Sequence, residues 1–208
     1  MPDDVSRETP PPAAVGVFAS RLPMMERYAD LLATEGTVRG LIGPRELPRL
    51  WTRHLLNCAA VLPRLPQGAT VADVGTGAGL PGLVWAIARP DLDVTLIEPL
   101  LRRTTFLDQV VEELSLENVR VLRARAEDVE ETFDVVTARA VAHLDKLGRW
   151  CMPLVKRPGG VLLALKGRSA EDEVAAAKPT LHRLGATTIV VSTYASSDEP
   201  TTVVEVST

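Results

Sequence analysis

The sequence predicts an α/β fold: an open, mostly parallel sheet that finishes in an antiparallel hairpin and is preceded by a helical layer. Three observations point to it. From Thr70 onward, short apolar runs alternate with segments of helix length. The last two apolar runs are separated only by a short polar stretch. Before residue 65 the apolar residues recur at helical spacing. At 208 residues and 46% hydrophobic content, the chain suits one compact unit with a substantial core. Its expected divisions are a disordered, acidic and proline-rich tail over residues 1–12, a helical layer over 13–66, and the sheet domain over 67–208.

In chain order, a first helix is expected over Met24–Thr34, with Pro23 near its start and Gly36 past its end. The stripe Leu47, Leu50, Trp51, His54, Leu55, Cys58, Ala59 and Leu62 predicts a regular helix over Glu46–Leu62. Pro63 and the Pro66–Gly68 stretch end the layer. Strands are expected at Val71–Val74, Val94–Ile97, Val119–Arg123, Phe133–Thr137 and Val161–Leu165. Helices follow at Leu83–Ala88, at Arg102–Leu116 with Phe106, Leu107, Val110, Val111 and Leu114 on one face, and over 174–184. Strands spaced in this way form right-handed parallel β-α-β units. Thr187–Ser192 and Thr201–Val206, flanking the polar loop Ala195–Pro200, read as the closing hairpin.

Composition excludes several classes. No apolar run approaches the length of a membrane span, and MPDDVSRETPPP lacks the basic start and apolar middle of a secretory signal, so a cytoplasmic protein is expected. Cys58 and Cys151 are not in metal-ligand spacing, and His54, His143 and His182 form no zinc motif, so no metal is expected. A net charge of −4 argues against a protein that coats nucleic acid indiscriminately, although 23 Lys and Arg leave room for a local basic face.

The chemistry concentrates in DVGTGAGLPG, residues 73–82, directly after an apolar strand. Gly75, Gly77 and Gly79 spell G-x-G-x-G, whereas Gly77, Gly79 and Gly82 spell the dinucleotide fingerprint G-x-G-x-x-G. A dinucleotide loop places its first glycine immediately after the strand. Here that residue is Gly75, and a fingerprint begun there would need glycine where Leu80 stands. Asp73 adds a second argument. A carboxylate inside an apolar strand is costly unless compensated, and it would repel a diphosphate. S-adenosylmethionine carries an ammonium and a sulfonium and no phosphate, so it suits Asp73 better. Glu98, ending the next strand in TLIEPLLRR, is placed to accept from two ribose hydroxyls, a feature shared by NAD and S-adenosylmethionine sites. Ala126–Glu127–Asp128 follows the third strand, where a loop can face adenine, and Arg139 follows the fourth. Ligands of open α/β sheets bind outside the carboxyl ends of strands, so these positions converge on one crevice.

With those residues in place, the chain resembles the bacterial glucose-inhibited division protein B family, the ribosomal small subunit methyltransferase G proteins. DVGTGAGLPG, LIEPLLRRTTFL, RAEDV, FDVVTARAVAHL and GGVLLALKG carry the resemblance, together with the upstream LWTRHLLNCAAVLPRL. It is strong over about residues 45–168. The resemblance implies a class I, Rossmann-like, S-adenosylmethionine-dependent methyltransferase that modifies N7 of guanine 527 in 16S rRNA. Carried over by position, Gly75, Leu80, Ala126, Glu127 and Arg139 would contact the cofactor, beside Asp73, Gly77, Gly79 and Glu98. Asn57 and Cys58 stand where the family usually has Asp and Ser, and the C-terminus lacks the basic residues often found there.

Guanine N7 has an in-plane lone pair and no proton to lose, so direct displacement at the sulfonium methyl needs no general base, and catalysis should come from alignment. No catalytic residue is assigned, Arg139 being one possibility. After the fourth strand TARAV lacks the N/D-P-P-Y/F motif for exocyclic amines, and RWCMP offers no proline-cysteine pair for cytosine C5 chemistry. Cations near strand ends or on the helical layer, namely Arg53, Arg102, Arg103, Arg123, Arg125, Lys166 and Arg168, are candidates for RNA phosphates, with His54 beside them. The expected partner is 16S rRNA or the 30S subunit, met by a monomer. A methyltransferase with a protein or small-molecule substrate, an NAD-dependent oxidoreductase and a non-catalytic RNA-binding module are the other readings.

Overall fold

The computed structural model describes residues 8–195 and 200–208. The chain forms a sheet of seven strands among these residues, in the order β3-β2-β1-β4-β5-β7-β6. The strands are β1 (Thr70–Val74), β2 (Asp93–Ile97), β3 (Val119–Leu122), β4 (Val135–Arg139), β5 (Val161–Lys166), β6 (Thr188–Tyr194) and β7 (Thr201–Ser207). The first five are mutually parallel, and β7 runs antiparallel to both β5 and β6. The expected parallel sheet with a closing hairpin is therefore present, its loop residues 196–199 lying outside the described residues. The strand order reverses between β1 and β4, and such switch points open a crevice at the carboxyl ends of the strands.

Alternation along the central strands divides the interior in two. Val161, Leu163 and Leu165 of β5 join one apolar cluster, while Leu162 and Ala164 join the other. The first face is covered by α4 (Gly82–Ala88), α5 (Leu101–Glu113) and the N-terminal layer, and it holds Trp85, Phe106, Tyr28 and Trp51. The second face is covered by α6 (Leu144–Cys151) and α7 (Ala170–Arg183). Each such side chain contributes about 1.5–3 kcal/mol when fully withdrawn from water.

The N-terminal layer departs from the sequence reading. It begins with α1 (Pro12–Phe18) and α2 (Leu22–Leu31), the latter widening into a π turn over Leu32–Gly36. Of the tail expected over residues 1–12, residues 1–7 lie outside the described residues. Glu8 is fixed against the layer, where its carboxylate accepts from the Trp51 and Thr52 amides at 2.7 and 3.2 Å. The regular helix expected over Glu46–Leu62 is instead a 3₁₀ segment (Pro44–Arg49), a π segment (Leu50–Leu55) and a short α-helix, α3 (Leu56–Ala59). Pro48 sits inside the run and lacks an amide proton, so a uniform ladder cannot form. The apolar stripe still faces inward: Trp51 is buried edge-on to Phe18, at 6.2 Å between ring centroids.

Candidate active site

Asp73 occupies the interior of β1 and is fully buried. Its Oδ2 accepts from the Thr76 hydroxyl at 2.6 Å and from the Gly82 amide at 2.8 Å, which folds the glycine loop back over the strand end. Oδ1 is buried with no hydrogen-bond partner among the described residues. Burial pushes the carboxyl up to about 6, against the bonds from Thr76 and Gly82. The glycines serve two different needs. Gly75, Gly77 and Gly79 have φ of +66°, +60° and +96°, the left-handed region. Gly82 needs close approach, since a Cβ there would lie 2.5 Å from Leu96 Cδ2 and 2.8 Å from Asp73 Oδ2. Tyr28 of α2 donates to the Ala78 carbonyl at 2.8 Å, so the helical layer also holds the loop. The Leu80–Pro81 peptide bond is cis.

Two cavities open at the carboxyl end of the sheet. The smaller, about 650 Å³, lies over β1 and β2 and is lined by Val74, Gly75, Glu98, Leu100, Ala126 and Glu127, with Trp150 of α6 as one wall. Glu98 is buried at the edge of this cavity. Its Oε2 accepts from the Gly77 amide and from Arg103, both at 3.2 Å, and its Oε1 accepts from the Leu100 amide at 3.1 Å. The larger cavity, about 740 Å³, lies over β4 and β5 and is lined by Arg53, Asn57, Arg139, Lys166, Arg168 and Thr202, among others. The two share Ala140 and Val141 as a common wall. Ala140 has φ +55°, an uncommon backbone for a residue with a Cβ, and the turn it makes lays Val141 over Gly75.

Arg139 ends β4 and reaches back to the helical layer. Its guanidinium donates to His54 Nδ1 at 2.9 Å, the Arg53 carbonyl at 3.3 Å and Cys58 Sγ at 3.2 Å. All three acceptors are neutral, and no carboxylate pairs with Arg139 among the described residues. His54 Nε2 lies 2.9 Å from Glu46 Oε2. Burial, then the neighbouring Arg139, lower the His54 pKa, partly offset by Glu46. The bond from His54 in turn lowers Glu46.

The structure therefore distributes the expected site residues unevenly. Gly75, Glu98, Ala126 and Glu127 line the smaller cavity, whereas Arg139 lines the larger one. Asp73, Gly77, Gly79 and Leu80 line neither and form the support beneath; the Leu80 side chain joins the core. Among the cations, Arg53, Lys166 and Arg168 line the larger cavity, and Arg103 and Arg125 the smaller. Lys166 is largely withdrawn from solvent, donating to the Ala142 carbonyl at 2.6 Å and Glu173 at 2.7 Å. Arg102 and Arg123 are exposed and line neither cavity. His54 lines neither and is committed to Arg139 and Glu46. Both cysteines are buried free thiols. Sequence reading takes Cys151 as a packed helix residue but gives α6 no range and misses Trp150, although Leu144, Leu147, Gly148 and Cys151 carry the i, i+3, i+4, i+7 signal. It also missed Thr201 and Thr202, which reach the larger cavity only through the pairing of β7 with β5.

Among the described residues, no group of three or more His, Cys, Asp or Glu side chains could hold a metal, and no helix is long and apolar enough to cross a membrane. A family model described as rRNA small subunit methyltransferase G matches residues 21–201. A ribosomal RNA small subunit methyltransferase G from Nocardioides sp. is 62% identical over 193 residues, covering 90% of this chain and 77% of the relative. The protein of the same name from Salinispora tropica is 55% identical over 229 residues, covering 99% and 90%. Among solved structures, a SAM dependent methyltransferase from Aquifex aeolicus superposes with a TM-score of 0.54 at 21% identity, covering 74% of this chain and 91% of that one. The last likeness concerns the fold alone.

Proposed function

The chain belongs to the rRNA small subunit methyltransferase G family, and from that premise we propose that it methylates N7 of guanine 527 in 16S rRNA. It is an enzyme and uses S-adenosylmethionine. The observation that supports an RNA substrate is the pair of cavities meeting at Ala140–Val141, one suited to a nucleoside and the other rich in cations, while the choice of guanine 527 and its N7 follows the family resemblance.

The residues fit the cofactor. The smaller cavity offers apolar walls for adenine and Glu98 for ribose hydroxyls. A carboxylate has about four lone-pair sites, and three are used here, so Glu98 retains acceptor capacity. Asp73, with one oxygen unpartnered, supplies a negative charge beneath the loop that favours an ammonium even without contact. Arg139, bonded only to neutral acceptors, suits the amino-acid carboxylate of the same molecule. When bound, S-adenosylmethionine supplies a methyl group activated by its sulfonium.

The chain's own task is then alignment. Arg53 and Arg168, with the exposed Arg102, Arg123 and Arg125, hold RNA phosphates and bring the base to the larger cavity. The fixed turn at Ala140 and Val141 sets the approach between the cavities. N7 carries a free lone pair, so no side chain has to remove a proton, and in-line displacement proceeds without a general base.

Incubation with methyl-labelled S-adenosylmethionine, offering 30S subunits, naked 16S RNA and a protein and metabolite extract in parallel, tests this reading. Label is expected in 16S RNA. Label confined to protein or metabolites, with RNA inert, would reject it.

A further inference from the structure

We infer that Glu46 and His54 form a positioning pair for Arg139, His54 accepting from the guanidinium while Glu46 fixes which ring nitrogen does so. The inference rests on Arg139 acting as the anchor for the cofactor's carboxylate. An arginine can only donate, so the His54 Nδ1 that lies 2.9 Å from it must present a lone pair. The ring proton is then on Nε2, where it donates to Glu46 Oε2 at 2.9 Å. The remaining acceptors, the Arg53 carbonyl and Cys58 Sγ, come from the same stretch of the helical layer. The guanidinium is thereby held from one side by neutral groups, and its charge is offset only at a distance, by the buried Asp73, with no carboxylate paired to it among the described residues. A carboxylate in place of His54 would hold Arg139 equally well but would neutralise it.

The arrangement works in one protonation state only. Around His54 stand Arg139 at the end of β4, Arg53 on its own segment, Glu46 on the preceding 3₁₀ segment and the neutral Cys58 thiol. Protonation would place an N–H against the guanidinium and add a second cation beside Arg139 and Arg53. Burial and Arg139 keep His54 below the ordinary histidine range, so the accepting form holds at neutral pH and fails on the acid side. As the pH falls, Arg139 loses its aim.

A double-mutant cycle on the full chain tests the pair, with calorimetric affinity for S-adenosylmethionine, KM for 16S RNA and thermal unfolding as readouts. His54→Ala is expected to weaken cofactor binding about tenfold, equivalent to about 1.4 kcal/mol, and to weaken it no further in an Arg139→Ala background. His54→Gln can accept from Arg139 and donate to Glu46 through its amide, so it should retain affinity and show a smaller acid-side fall than that expected of the wild type, the remainder coming from protonation of Asp73. Additive effects of His54→Ala and Arg139→Ala would overturn the pair, as would a His54→Gln chain that folds normally yet behaves as His54→Ala. Should Arg139→Ala leave cofactor affinity unchanged, the cofactor reading of Arg139 fails. The pair then stands if both variants shift KM for RNA non-additively, and falls if they do not.

Discussion

On the proposed reading, Asp73 is a single buried charge that serves the site at the expense of the fold. Its carboxyl, ordinarily at 3.8, is pushed up to about 6 by burial. A rise of that size corresponds to about 3 kcal/mol. Because the folded value lies above the unfolded one, the folded chain binds more protons between pH 3.8 and about 6, and this contribution to stability is lost as pH rises through that window. Asp73→Asn keeps an acceptor for Thr76 and Gly82 and removes the charge. The unfolding free energy of the variant, relative to wild type, should therefore climb from pH 4 to 6 and stay level above, as read by urea denaturation. Its affinity for S-adenosylmethionine should fall about tenfold or more. A difference independent of pH would show that Asp73 carries no such cost. Asp73 and Glu98 stand out in the sequence because carboxylates within or ending apolar strands demand an explanation. Ala140 and Val141 do not stand out, because only the backbone turn after β4 makes an alanine and a valine into the wall between two cavities.

At the level of elements, the glycine loop and α4 depend on one tight approach. A methyl group at Gly82 would press on Leu96 and on the Asp73 oxygen that the Gly82 amide serves. Gly82→Ala is therefore expected to cost about 3 kcal/mol of stability and to weaken cofactor binding, measured by urea unfolding and calorimetry. A Cβ on Gly77 meets only Arg103 and the Gly75 carbonyl, both at 3.9 Å, so a change there is opposed by its φ of +60° rather than by crowding. A Gly82→Ala chain as stable as wild type would mean that β2 and α4 yield more easily than their packing implies. The parallel strands are readable from sequence to within a residue or two, since strands covered on both faces appear as apolar runs. The helical layer is less so. Its stripe at 46–62 predicts the buried face but not the change from 3₁₀ to π to α, which follows from Pro48 and from packing against the sheet. The eight-residue α6 is too short for its periodicity to set a range, and Trp150 is lost with it.

Across the whole molecule, a net charge of −4 coexists with a cluster of arginines at one end of the sheet. The N-terminal layer reaches that end through Tyr28 on the glycine loop, through His54 on Arg139 and through Asn57 on Thr201. It is therefore hydrogen-bonded to the cavity end of the sheet as well as packed on one face. Cys58, where the resemblance leads one to expect serine, accepts from Arg139 through its sulfur and so belongs to the same link. On the proposed reading, this end of the sheet delivers a methyl group to a purine N7 with no base. Borohydride reduction followed by aniline scission cuts RNA at 7-methylguanosine and leaves unmodified guanosine intact. Applied to 16S RNA treated with the enzyme and S-adenosylmethionine, it should give one new cut, at guanine 527, at a rate that does not report a titrating base. Methylated RNA that resists scission, or that is cut at another guanine, would contradict it.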